Sequence, residues 1–122
     1  MPPIRVKRVY EAAEAHDGKR ILVDRLWPRG LARPDSGIDL WLKDAAPSSE
    51  LRRWFGHAPE RWVEFQKRYF AELRAQPEAW APIVAACARG DIVTLLFAAR
   101  DTERNNAVAL RAFLERSAAR GG

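Results

Sequence analysis

The chain of 122 residues has one cysteine, Cys87, and two histidines, His16 and His57. A single thiol makes no internal disulfide, and two distant histidines beside it do not supply the ligand spacing of a zinc finger. Glycine never clusters into a phosphate-binding loop, a dinucleotide fingerprint or a nucleophile elbow, so no metal and no cofactor are expected. Lysine is scarce: Lys7, Lys19, Lys43 and Lys67 are four of 21 cations, and the rest are arginine. Long apolar runs are missing as well, and Met1-Pro2-Pro3-Ile4-Arg5 passes straight into charged sequence. Neither a cleaved leader nor a membrane span is expected, which makes the cytoplasm the expected location. With no repeat, low-complexity stretch or linker, residues 1–122 read as a single domain.

What is present is an ordinary globular balance, 48% hydrophobic and 30% charged, which argues against disorder. The formal net charge of +5 attracts phosphates and nucleic acid. Residues 1–33 carry eight of the cations against four carboxylates, so +4 of that charge lies in the first third. Arginine suits bidentate recognition of phosphate and carboxylate, while coding bias in a GC-rich genome is the plainer account of its excess over lysine.

Ile4–Tyr10 alternates apolar and basic residues and predicts a strand with one solvated face. Glu11–Gly18 predicts a turn with a short helical piece. Arg20-Ile21-Leu22-Val23-Asp24 reads as a buried central strand, stopped at Trp27-Pro28-Arg29-Gly30. Asp35-Ser36-Gly37-Ile38-Asp39 resembles a capping box and predicts a helix with Ile38, Trp41, Leu42 and Ala45 on one face, closed by Pro47. Ser48 or Ser49 can cap a short helix, Glu50–Phe55, ended by Gly56. The longest helix starts at Pro59-Glu60, carries Trp62, Phe65, Tyr69 and Leu73 as its apolar stripe, pairs Glu64 with Arg68, and stops at Pro77. Trp80–Arg89 reads as one more helix before Gly90. Asp91–Ala99 is the strongest strand, apolar enough to be covered on both faces. A last helix from about Glu103 to Ala119 buries Val108, Leu110, Phe113 and Leu114 and leads to a ragged Arg120-Gly121-Gly122. Strands separated by helical sequence predict an α/β fold: a small single domain whose short, mainly parallel sheet of about three strands is covered by helices.

In open α/β sheets, ligands bind beyond the carboxyl ends of the strands. The exit of the first buried strand supplies Asp24, Arg25, Trp27, Pro28, Arg29 and Gly30. The exit of the second supplies Arg100 and Asp101, then Thr102 and Asn105-Asn106 at the start of a helix. If the two strands run parallel and adjacent, these sets converge near free helix N–H groups and suit a phosphate or carboxylate. Each residue also has a plainer role open to it: Asp24 as a turn partner, Thr102 and Asn105 as helix caps, Arg29 as a loop brace. Trp41, Trp54, Trp62 and Trp80 fall at amphipathic positions that favour core or groove lining over base stacking. His57 reads first as a C-terminal helix cap, and Cys87 as a small core residue.

The run Ile21-Leu22-Val23-Asp24-Arg25-Leu26-Trp27-Pro28-Arg29-Gly30-Leu31 closely resembles the YeaO-like family, a bacterial domain-of-unknown-function group. The likeness continues through Trp41-Leu42-Lys43-Asp44-Ala45-Ala46-Pro47-Ser48 and Leu51-Arg52-Arg53-Trp54-Phe55-Gly56-His57. It extends to Pro59-Glu60-Arg61-Trp62, Phe65 and Tyr69, then Val93–Asp101 and Asn105-Asn106-Ala107. The resemblance implies a small α/β fold with no established activity. Some members carry labels as transcriptional regulators, for which no helix-turn-helix signature is present here. A longer related branch has a Cys near the end of the last strand and a Cys-His pair in the next turn. Here those positions hold Phe97 and Asn105-Asn106, so thiol chemistry does not transfer. Close relatives tend to have His where this chain has Arg104, which removes a base at that position.

Two functions follow as expectations. The first is a small anionic ligand, phosphate or nucleotide-like, held by Arg25, Trp27, Arg29, Arg100, Asn105 and Asn106, with Asp24 or Asp101 as general base or ligand anchor. The second is a nucleic-acid-binding or regulatory module using the basic first third.

Overall fold

The computed structural model describes residues 3–121, of which 35 and 118–121 by backbone alone. Met1, Pro2 and the final Gly122 of the expected ragged end lie outside the described residues. Four strands form one sheet: β1 (Ile4–Arg8), β2 (Lys19–Leu22), β3 (Leu40–Trp41) and β4 (Val93–Phe97), in the order β1-β4-β2-β3. Every neighbouring pair is parallel, and β4 sits between β1 and β2 with Ile21 opposite Leu95 and Val6 opposite Leu95 on the other side. The α/β class and the parallel sheet expected from the sequence are therefore present, with a two-residue fourth strand added at the edge. No helix among the described residues is long and apolar enough to cross a membrane.

Pleating sorts the strand residues onto two faces. Ile4, Ile21, Val23, Val93, Leu95 and Phe97 point into one core shared with all four helices. Those helices are α1 (Ser49–Phe55), α2 (Trp62–Ala75), α3 (Pro77–Ala88) and α4 (Asn106–Gly121). Phe65, Tyr69 and Leu73 of the expected stripe are buried on α2, and Phe55 of α1 stacks on Phe65 at 4.5 Å. Cys87 lies in this core, where burial pushes its thiol up. The opposite face carries Val9, Leu22 and Leu96 and is closed by loops instead of helices, with Trp27, Leu31, Ile38 and Trp41 packed over it. The five-residue β4 is buried along its whole length because helices cover one side and loops the other.

The helix expected over Ile38–Ala45 is not formed. Leu40 and Trp41 instead pair with Ile21 and Leu22 as β3, and only Lys43–Ala45 makes a 3-10 turn. Ser36 Oγ accepts from Ile38 N at 3.2 Å, closing a local turn, while the Asp39 carboxylate accepts from Arg20 N at 2.9 Å. Neither side chain caps a helix: Ser36 holds the local turn and Asp39 ties the loop to β2, outcomes open to any short polar side chain. The last helix also begins later than expected, at Asn106, because Asp101 organises residues 101–105 as a turn.

At the lower end of the sheet, Asp17 is buried and binds Arg20 Nη1 at 2.6 Å, Lys7 Nζ at 3.1 Å and Glu14 N at 3.1 Å. Thr94 Oγ1 donates to Asp17 O at 2.7 Å, so this ion cluster fastens the β1–β2 connection beneath β4. Gly18 makes that path possible. Its φ is +63°, and a Cβ there would stand 2.2 Å from Ile92 O.

Candidate functional site

The strands β2 and β4 leave the sheet side by side, with Val23 N donating to Leu96 O at 3.1 Å. The next residue, Asp24, staples the two exits. Its Oδ2 accepts from Ala98 N at 2.9 Å and its Oδ1 from Asn106 Nδ2 at 3.0 Å. Asn106 Nδ2 also donates to Val23 O at 2.8 Å, so the first residue of α4 locks the carboxylate in place. Burial raises the Asp24 carboxyl above its ordinary 3.8, against the downward pull of Asn106, the Ala98 N–H and the nearby Arg52 charge.

Above Asp24 opens a cavity of about 380 Å³, within the range of small-molecule sites. Its charged lining is Asp24, Arg25, Arg29, Arg52 and Arg104, with His57, Asn105 and Asn106 beside them. Counting His57 as neutral, the lining carries a formal +3, out of +5 for the whole chain. Its apolar part includes Tyr10, Leu26, Pro47, Phe55 and Phe65.

The cations are not equally available. The Arg25 guanidinium donates through Nε to Pro47 O and through Nη2 to Ala46 O, both at 3.3 Å, which braces the loop before α1. Arg104 Nε lies 3.3 Å from Asp101 Oδ2. Arg29 and Arg52 are exposed, and no ion pair is described for either. Tyr10 Oη donates to Arg29 O at 3.0 Å and fixes that loop over the cavity.

The sequence-derived candidates separate in space. Asp24, Arg25, Trp27, Arg29, Asn105 and Asn106 line the cavity. Arg100 is exposed and Asp101 half-buried, and neither is part of the lining. Asp101 Oδ1 accepts from Arg104 N at 3.0 Å and Glu103 N at 2.9 Å, and these bonds hold its carboxyl below the usual range. Asn105 caps α4, its Oδ1 accepting from Val108 N at 2.9 Å while Nδ2 donates to Asp101 O. Trp27 donates Nε1 to Leu31 O at 2.7 Å and meets Trp41 edge-on at 5.4 Å, with Arg33 over its ring at 4.8 Å. Its indole therefore serves the loop cover as well as the cavity wall.

Three basic lining groups were not among those candidates: Arg52, His57 and Arg104. Arg52 is carried by α1, whose start is fixed by Ser48 Oγ accepting from Leu51 N at 3.1 Å. Gly56 ends that helix in the left-handed region, and His57 follows with φ +58°, outside the range that non-glycine residues ordinarily occupy. Two consecutive left-handed residues turn the chain so that His57 lines the cavity. Strain of that kind in a non-glycine residue collects at functional sites. The Phe55-Gly56-His57 order was the available signal, since a histidine directly after a left-handed cap has no second turn of helix to support.

Elsewhere, Glu14, His16 and Asp17 gather within 4.8 Å of one another. Lys7 Nζ already stands 2.8 Å from Glu14 Oε1 and 3.1 Å from Asp17 Oδ2, so an ammonium supplies the cation there.

Residues 3–122 match the family described as "Inactive DUF488-N3 subclade". Escherichia coli (strain K12) uncharacterized protein YeaO is 44% identical over 111 residues, spanning 91% of this chain and 96% of that protein. An uncharacterized protein of Mycobacterium tuberculosis (strain ATCC 25618 / H37Rv) is 43% identical over 111 residues, spanning 91% of this chain and 92% of its own. No solved structure matches the chain. With the family match running over nearly its full length and YeaO aligned along almost all of it, the chain belongs to the YeaO-like family, in the inactive DUF488-N3 subclade.

Proposed function

We propose that the cavity at the carboxyl edge of the sheet binds a small anionic ligand, phosphate or nucleotide-like. The observation that carries this reading is the concentration of charge: four arginines converge from separate parts of the chain on one cleft holding one carboxylate. Arg52 and Arg29 supply the cations without a described ion pair, and His57 and Arg104 extend the same wall. Asp24 anchors the ligand or takes a proton from it. Of the two carboxylates weighed as a base, it is the one on the cavity, and its raised carboxyl suits either role. The lining contains no cysteine, serine or threonine, and the family description reads "Inactive", which together favour binding over covalent turnover.

The test is thermal stabilisation by inorganic phosphate and nucleotides at millimolar concentration. A ligand at 100 times its Kd adds about 2.7 kcal/mol, or roughly 10 °C for a domain of this size. Arg52→Ala is expected to weaken binding at least tenfold with its own melting temperature unchanged. Absence of any shift with every anion, with Arg52→Ala behaving as wild type, removes the reading.

A further inference from the structure

The cavity is larger and less polar than a bare oxyanion requires. Its 380 Å³ corresponds to about a dozen water volumes, and a five-atom phosphate fills only a small part of that. The remainder is walled by Pro47, Phe55 and Phe65, while Leu26 at 63% and Tyr10 at 43% exposure stand at the same cavity. These two are among the most exposed large hydrophobic residues described in the chain. A large apolar side chain left open beside a concave site is surface that a ligand can cover.

Asp24 adds a second requirement. An ionised carboxylate has about four acceptor sites, and here Ala98 N and Asn106 Nδ2 fill two. The others need donors once a ligand displaces water, and a phosphate group placed against Asp24 would meet it with like charge. A satisfied ligand therefore keeps its phosphate on the arginines and turns an N–H or O–H donor toward Asp24.

From these features we infer that the ligand is an organic phosphate bearing a flat, hydrogen-bond-donating ring, of the nucleoside monophosphate class. The phosphate sits among Arg29, Arg52 and His57, the ring face packs on Leu26 and Phe55, and a ring N–H donates to Asp24. This inference rests on the anion reading above and narrows it.

Isothermal titration with inorganic phosphate, the four ribonucleoside 5′-monophosphates and the corresponding free nucleosides tests it. At least one monophosphate is expected to bind tenfold or more tightly than inorganic phosphate and than its own nucleoside. Leu26→Ala, at a position 63% exposed, is expected to keep the wild-type melting temperature and to weaken that nucleotide fivefold or more. Asp24→Asn, checked for native circular dichroism, is expected to weaken it at least tenfold. Inorganic phosphate binding as tightly as every monophosphate, or a Leu26→Ala variant with unaltered nucleotide affinity, overturns this inference and leaves the anion reading standing. No binding by phosphate or nucleotide overturns both.

Discussion

Replacing Asp17 with Asn keeps the shape of the side chain and removes its charge, and the surroundings set the consequence. Arg20 is only 4% exposed, and its guanidinium has the Asp17 carboxylate at 2.6 Å and the Gly37 carbonyl at 2.7 Å as partners. Without the carboxylate charge, a buried cation keeps only neutral acceptors, the Gly37 carbonyl and the new amide oxygen. Breaking one side of a buried pair typically costs 3–5 kcal/mol. Lys7 retains Glu14 at 2.8 Å, so the lower end, about 3 kcal/mol, is expected. Against the roughly 5–15 kcal/mol of a typical domain, that is a large loss. Urea unfolding at pH 7, followed by tryptophan fluorescence, measures it as a lower midpoint at constant slope. The pH dependence gives an independent check. Burial pushes the Asp17 carboxyl up, but hydrogen bonds from Glu14 N, Lys7 and Arg20 more than offset it and hold it at about 2, below its ordinary 3.8. A depressed carboxylate contributes fully above its unfolded value and loses that contribution as pH falls through the folded one. The gap between wild type and Asp17→Asn should therefore stay constant from pH 7 to about 5 and narrow between about 4 and 2. A gap under about 1 kcal/mol at pH 7, or one that ignores acid, would refute the reasoning.

His57→Gly removes a left-handed non-glycine residue and is expected to raise stability by about 1 kcal/mol while weakening anion binding. Calorimetry and ligand titration on the same sample separate the two effects, and a destabilised variant would contradict the strain argument. Ser48→Ala loses the cap on Leu51 N and the 2.6 Å bond to Glu72 Oε2, with an expected loss of about 1–2 kcal/mol. In a double-mutant cycle with Glu72→Ala, additive losses would show that Ser48 and Glu72 do not act together. Gly18→Ala drives a methyl into the Ile92 carbonyl from a positive φ and is expected to destabilise by at least about 2 kcal/mol in the same urea assay.

The strands β2 and β4 were legible because compact apolar blocks bounded by Gly and Pro have few other folds open to them. The start of α1 at Ser48 and its end at Gly56 were legible for an equally local reason, since each acts on backbone groups within four residues. At Ile38–Ala45 the spacing of apolar residues was genuinely helical, but the decision was made by pairing with Ile21 and Leu22 some twenty residues earlier. A window read along the chain does not contain that partner. The candidate site divides along the same line. Asp24, Arg25 and Arg29 stand at a recognisable strand exit, whereas Arg52, His57 and Arg104 reach the cavity from a short helix, a left-handed corner and a turn ordered by Asp101. Arg100 and Asp101 follow their strand as expected, yet the bonds from Glu103 N and Arg104 N turn the Asp101 carboxylate to holding the loop.

Covering one face of the sheet with helices and the other with loops gives the molecule two sides of unequal tenacity. Lifting residues 26–39 away would wet mainly the small group of Val9, Leu22 and Leu96, whereas parting the helices would wet the aromatic interior. Slow breathing should therefore start at the loop side. Amide deuterium uptake would then be faster around Leu31 and Ile38 than along Val93–Phe97, and because Trp27 and Arg29 ride on that segment, the ligand proposed above would enter and leave through that side.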